Sequence, residues 1–253
     1  MNMKEKLHGG AKERKALHSI LGRNVPFAYV EAFKTLRTNI DFVASTGNVK
    51  ALMITSALPD ESKSNTVVNL SLSMVSSGKS VVIVECDMRK PTLRQYLKLG
   101  RGNKGLSAYL SGNASLEDCI ISSDRTNLSV IHAGTVPPNP SELLSHDRMK
   151  TLVETLKERY DYVLLDTPPV TVVTDAAILG RVVDGAVLVI RSCYAQTKTV
   201  QLAKQRLETV GVKLLGAVLT RFDMKKSGWR SGYEYRNYEY NYSENSGEDR
   251  KKS

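Results

Sequence analysis

Continuous apolar runs of a few residues recur along the chain: Ala51 to Ile54, Val81 to Val84, Tyr162 to Leu165, Gly185 to Ile190 and Leu214 to Leu219; Leu128 to Ile131, interrupted by Ser129, reads as a brief strand. Runs this short predict strands, and an uninterrupted one such as Val81 to Val84 suits a parallel sheet buried on both faces. Elsewhere the apolar positions step by three and four. Val30, Phe33, Leu36, Ile40 and Val43 predict a helix after Pro26. Val67, Leu70, Leu72 and Met74 predict a second, and Met149 to Arg159 and Thr197 to Val210 two more. Residues 92 to 127 read as short helices and turns, Leu106 to Leu110 and Leu116 to Ile121 among them. Pro137-Pro138-Asn139-Pro140 is a rigid loop before a helical turn, Ser141 to Leu144. Strands alternating with helices imply an α/β fold with a doubly wound, mostly parallel sheet. From Met224 onward the apolar pattern stops. The expected division is a basic flexible arm over residues 1–25, a folded domain over 26–223 and a disordered tail over 224–253.

Composition changes this picture little. The chain of 253 residues is long enough for one α/β domain with a full core plus tails. Its three cysteines, Cys86, Cys119 and Cys193, form no CxxC pair, which argues against a disulfide framework and a zinc site. The histidines have no metal-ligand spacing. No apolar run reaches the ~18–20 residues that span a bilayer, and the N-terminus lacks a signal-peptide segment, so a cytoplasmic protein is expected. The formal charge of +10 owes part of its excess to Lys4, Lys6, Lys12, Arg14, Lys15 and Arg23 in the arm. Without a zinc-finger or RNA-recognition signature, such an arm suits a solvated linker or an anionic lipid surface better than nucleic acid.

The candidate chemistry begins after the first strand. Ala57, four residues, then Ser62-Lys63-Ser64 follows the strand–loop–helix layout of a phosphate-binding P-loop. In such a loop the backbone N–H groups cradle phosphate, the Lys reaches the β/γ-phosphates and the hydroxyl holds Mg²⁺, with the helix N-terminus adding partial positive charge. The glycine expected before Lys63 is Ser62. If the backbone there needs positive φ, a side chain costs on the order of 1–3 kcal/mol, about tenfold to a hundredfold in nucleotide affinity. The plainer reading of the same residues is an ordinary strand–loop–helix turn with a solvated Lys63. Two further strands end in acid: Val81 to Val84 runs into Glu85-Cys86-Asp87, and Tyr162 to Leu165 into Asp166. Carboxylates at the carboxyl ends of parallel strands lie where open α/β sheets bind ligands, and Asp166 stands at a Walker-B position.

Two surfaces remain. Glu31, Lys34 and Arg37 repeat every three residues on the first helix and are expected on one exposed face, either solvated or contacting a neighbouring subunit. Tyr233, Tyr235, Tyr238, Tyr240 and Tyr242 crowd the tail. They read as a sticky, β-prone segment or as phosphate acceptors, each gaining about −1.5 to −2 charges when modified.

Taken together, the segments Glu31 to Ile40, Thr55 to Ser64, Val81 to Pro91, Pro137 to Leu144 and Asp161 to Val170, with the terminal tyrosines, resemble the bacterial tyrosine kinases of capsule and exopolysaccharide export. The resemblance spans about residues 26 to 242. It implies a P-loop NTPase fold of the Walker A/A′/B type that uses ATP and Mg²⁺. By position, Ala57, Pro59, Asp60, Glu61, Ser62, Lys63, Ser64 and Asn65 would form the nucleotide loop. Ser64, Asp87 and Asp166 would hold the metal. Glu85 would stand for the proposed base, and Glu31, Lys34 and Arg37 for the oligomer contact. Thr220 stands where related ATPases have an adenine-reading Asn. The resemblance further implies a homo-oligomeric ring that phosphorylates neighbouring tails, a membrane-bound chain-length or activator protein holding it at the inner face of the plasma membrane, and a cognate tyrosine phosphatase. Departures gather in the loop: both family glycines are replaced, by Asp60 and Ser62, and Asp60 and Glu61 are expected to place negative charge beside the phosphates. Two functions therefore stand side by side: an autokinase, and a weak or silent adaptor phosphorylated by an active partner. A related cargo-positioning ATPase fits the tail and motifs less well.

Overall fold

A computed structural model describes residues 19–22, 24–99, 104–123 and 126–222. The tail tyrosines and most of the N-terminal arm lie outside the described residues. In chain order the elements are α1 (Phe27–Gly47), β1 (Ala51–Ser56), α2 (Lys63–Val75), β2 (Val81–Glu85), α3 (Leu93–Tyr96), α4 (Leu106–Leu110), α5 (Leu116–Cys119), β3 (Ile121–Ser123), β4 (Thr126–Ile131), α6 (Pro140–Leu144), α7 (Asp147–Arg159), β5 (Tyr162–Asp166), α8 (Asp175–Leu179), β6 (Gly185–Arg191), α9 (Thr197–Thr209) and β7 (Leu214–Thr220).

The strands form one seven-stranded sheet in the order β3-β4-β2-β5-β1-β6-β7. Every pairing is parallel except β3 with β4. The apolar runs are continuous because successive side chains enter different cores. Met53, Val82, Val84, Val163, Leu165 and Leu188 pack on the side of α7 and α9. Leu52, Ile54, Val81, Ile83, Leu164 and Val189 pack on the side of α1 and α2. Parallel pairing brings the carboxyl ends of β1, β5 and β2 together, with β5 between the other two.

Three expectations change. The helix expected over Leu116 to Ile121 ends at Cys119: a Ser115–Asp118 capping box starts it, Ile120 is already extended at ψ 126°, and Ile121 opens the antiparallel edge strand β3. The arm does not stay free as far as residue 25, since Ile20 is buried and its amide donates to Asn69 Oδ1 on α2 at 2.7 Å. Arg37 leaves the exposed face of α1: its guanidinium donates to the Ser73 carbonyl at 2.8 Å, while Lys34 stays outside and pairs with Glu31 at 2.6 Å.

Candidate functional site

The loop from β1 to α2 turns as a glycine loop would, without the glycines. Asp60 sits at φ 65° and Ser62 at φ 71°, the left-handed region where an L side chain is strained. Positive φ at Ser62, foreseen as a condition, is met, and Asp60 adds a second case. Ser62 leads into Lys63, the first residue of α2, which is buried at 8% exposure. Ala57 is buried and Pro59 half-buried.

Charge in the loop lies otherwise than expected. Glu61 does not face a phosphate pocket: it is fully buried, and its carboxylate accepts from the Leu58 amide at 2.7 Å and the Arg191 amide at 3.1 Å. Asp60 alone of the two acids is exposed. The Thr220 hydroxyl donates to the Glu61 carbonyl at 3.0 Å, so it serves the loop rather than pointing to a base. The Asn65 side chain turns to α1 and α2, its Oδ1 accepting from Tyr29 Oη at 3.0 Å and Asn69 Nδ2 at 2.6 Å.

Asp166 ends β5 in register with Ile54 on one side and Glu85 on the other. Its carbonyl accepts the amides of Cys86 at 2.8 Å and Asp87 at 3.1 Å, which fixes the acidic end of β2 against it. The residue is 1% exposed, and among the described residues neither side-chain oxygen has a hydrogen-bond partner. Burial pushes its pKa up to about 7, against the pull of Lys63 and of the Ser64 hydroxyl, which lies close by but outside hydrogen-bond geometry. A buried carboxylate with both oxygens unsatisfied is a group built for a cation. Mg²⁺ is commonly held by one or two carboxylates together with substrate phosphates, so Asp166, Asp87 and Ser64 fit that ion once a nucleotide completes the shell. Thr92 donates to Ser64 Oγ at 3.2 Å and orients it.

Glu85 is held differently. One carboxylate oxygen accepts the amides of Thr92 and of Leu93 (2.7 Å), the other that of Ala133 at 3.0 Å. Burial raises its pKa, and the three amides oppose that. It is an anchor for the start of α3 and the end of β4, and lines a cavity of about 340 Å³ with Pro91, Arg94, Gln95, His132 and Gly134. Asp87 is half-buried and accepts the Lys90 amide at 3.1 Å.

Sequence reasoning missed one cluster. Arg89 meets the fully buried Asp175 through Nε at 3.0 Å and through a second nitrogen at 3.1 Å, and donates to Ser141 Oγ at 2.8 Å. It clips the loop after β2 to α6 and α8. The available signal was Arg89 two residues beyond Asp87 and Ser141 within the Pro-rich segment; nothing marked Asp175.

A phosphate loop after β1, with acidic ends on the next two strands of the sheet, β5 and β2, defines a P-loop nucleotide-binding protein of the Walker A/A′/B type. The chain matches the AAA domain family model over residues 61–212. It is 41% identical over 205 residues to tyrosine-protein kinase YwqD of Bacillus subtilis (strain 168), covering 81% of this chain and 85% of that one. It is 38% identical over 191 residues to tyrosine-protein kinase CpsD of Streptococcus agalactiae, covering 76% and 82%. The kinase domain of Escherichia coli tyrosine kinase ETK superposes with a TM-score of 0.72 at 35% identity, over 85% of this chain and 89% of that domain. Within the P-loop class, then, the chain belongs to the bacterial tyrosine-protein kinases. Among the described residues no helix is long and apolar enough to cross a membrane.

Proposed function

We propose that this chain is a protein-tyrosine kinase that uses MgATP to phosphorylate Tyr233, Tyr235, Tyr238, Tyr240 and Tyr242 of a neighbouring copy, in an assembly controlling capsular or exopolysaccharide polymerisation and export. The observation that carries the reading is Asp166, a buried carboxylate near Lys63 and Ser64 that has no hydrogen-bond partner among the described residues. The loop amides after Leu58 and the N-terminus of α2 bind the phosphates. Lys63 offsets their charge, and Ser64, Asp87 and Asp166 hold the cation, which when bound neutralises charge on the transferred phosphoryl group. Phosphoryl transfer asks mainly for positioning, and the clustered strand ends provide it. Glu31 and Lys34 stay on the solvent side of α1, where a neighbouring subunit of a ring would meet them. A membrane-bound activator would hold the ring at the inner face of the membrane, and a tyrosine phosphatase would reset the tail.

A second reading, a silent adaptor phosphorylated by an active partner, is favoured by Glu85. Its carboxylate already accepts three backbone amides, which favour the ionised form and weaken it as a base for a tyrosine proton. Calorimetry of MgATP binding to the wild type and to Lys63→Ala is the first test. Binding by the wild type alone supports the kinase. No binding by either sinks that reading for the isolated chain. Labelled ATP then separates the two: label lost with Lys63→Ala supports the kinase, and label appearing only with an active homologue supports the adaptor.

A further inference from the structure

The residue between the two left-handed positions is Glu61. Backbone of that kind persists only where the surroundings over-determine it. Glu61 is tied at three points. Oε2 accepts from Leu58 N at 2.7 Å, closing the loop on its own beginning. Oε1 accepts from Arg191 N at 3.1 Å, at the last residue of β6. Its carbonyl accepts from Thr220 Oγ1 at 3.0 Å, at the last residue of β7. The side chain is fully buried, so its charge is directed to amides and away from the phosphate side. Lys63 follows two residues later and is itself buried next to Asp166. A shift of the loop therefore shifts the lysine.

We infer that Glu61 is a positioning residue: its buried carboxyl clamps the phosphate loop to β6 and so holds Asp60 and Ser62 in the conformation that glycines adopt freely. The inference rests on the loop being the nucleotide site. Glycine at positions 60 and 62 accepts positive φ without strain, so a glycine loop has less need of the clamp.

The test is a cycle. Glu61→Ala and Glu61→Gln are made in the native loop and in an Asp60→Gly/Ser62→Gly loop, and MgATP affinity is measured by calorimetry. In the native loop Glu61→Ala is expected to weaken MgATP about tenfold or more, the scale of a lost buried hydrogen-bond partner. In the glycine loop the loss is expected to fall below about threefold, because the strain the clamp opposes is gone. Glu61→Gln falls between, since one oxygen still accepts. Equal losses in both loops, or none in the native loop, overturn the inference. A second readout does not depend on nucleotide. Hydrogen exchange at the Leu58 and Arg191 amides should quicken in Glu61→Ala, and unchanged exchange overturns the clamp. If the wild type binds no MgATP, the nucleotide reading fails on its own and exchange decides the clamp. If Glu61→Ala does not fold, as judged by its thermal transition, Glu61→Gln carries the comparison.

Discussion

At the scale of single residues, Asp166 sets the pH behaviour. Its folded pKa of about 7 lies above the unfolded 3.8, so the folded state keeps a proton that the unfolded state has lost. The contribution is therefore fully present below the unfolded value and is lost as pH rises through the folded one, by on the order of 4 kcal/mol. Denaturant midpoints from acid to mildly alkaline pH should show this fall in the nucleotide-free wild type and not in Asp166→Asn; parallel curves would refute it. Cation binding needs the ionised carboxylate, so MgATP affinity should drop as pH falls below about 7. Asp166 was legible in the sequence because burying a carboxylate at the end of an apolar strand is costly unless a cation or donor meets it there. The direction of Glu61 was not legible. Its chemistry is the same whether it faces phosphate or an amide, and only the fold brings Arg191 within reach.

At the scale of elements, α1 shows how far periodicity reaches. The apolar positions Phe33, Leu36 and Ile40 pack as their spacing predicts. The charged triplet does not share one face, because a step of three residues falls about 60° short of a turn and two steps carry Arg37 about 120° away from Glu31. That rotation brings Arg37 over α2, where it bonds the Ser73 carbonyl. Arg37→Ala should therefore cost about 1 kcal/mol, roughly 2–4 °C in the melting temperature of a domain this size. Lys34→Ala should cost no more than about 0.5 kcal/mol, since its ion pair is exposed. Light scattering complements the melts. If α1 meets a neighbouring subunit, Glu31 and Lys34 substitutions lower the assembled mass without moving the melt, and an unchanged mass removes that role. Tyr29, Asn65 and Asn69 tie the same two helices at the other end.

At the scale of the molecule, the site exists because the chain order of strands differs from their spatial order. β5 inserts between β1 and β2 and brings Asp166 between loop and acidic end. The parallel sheet was legible from five apolar runs and the brief strand at Leu128 to Ile131. The edge strand β3 was not, because its three residues carry too little pattern and its pairing with β4 is what makes it a strand. The clip of Arg89, Ser141 and Asp175 was equally invisible, since it joins three segments far apart in the chain. Asp175→Asn leaves the Arg89 charge without its counterpart. Arg89 remains partly exposed, so the cost should be about 2 kcal/mol, below that of a fully buried pair. Thermal melts measure that loss, and MgATP titration should show weaker binding as the loop bearing Asp87 loosens. A melt unchanged by the substitution would deny the clip any structural role.

The cysteines carry a practical consequence. Cys86 and Cys119 are buried, and Cys193 is exposed. A thiol-reactive fluorophore therefore has one address on the native chain, and no engineering is needed to create it. That address lies two residues past Arg191, whose amide Glu61 holds, and next to Tyr194, over whose ring the Arg191 guanidinium rests at 4.5 Å. A dye at Cys193 would sit at the far end of the tie that runs to the phosphate loop, so the protein brings its own optical gauge of that loop.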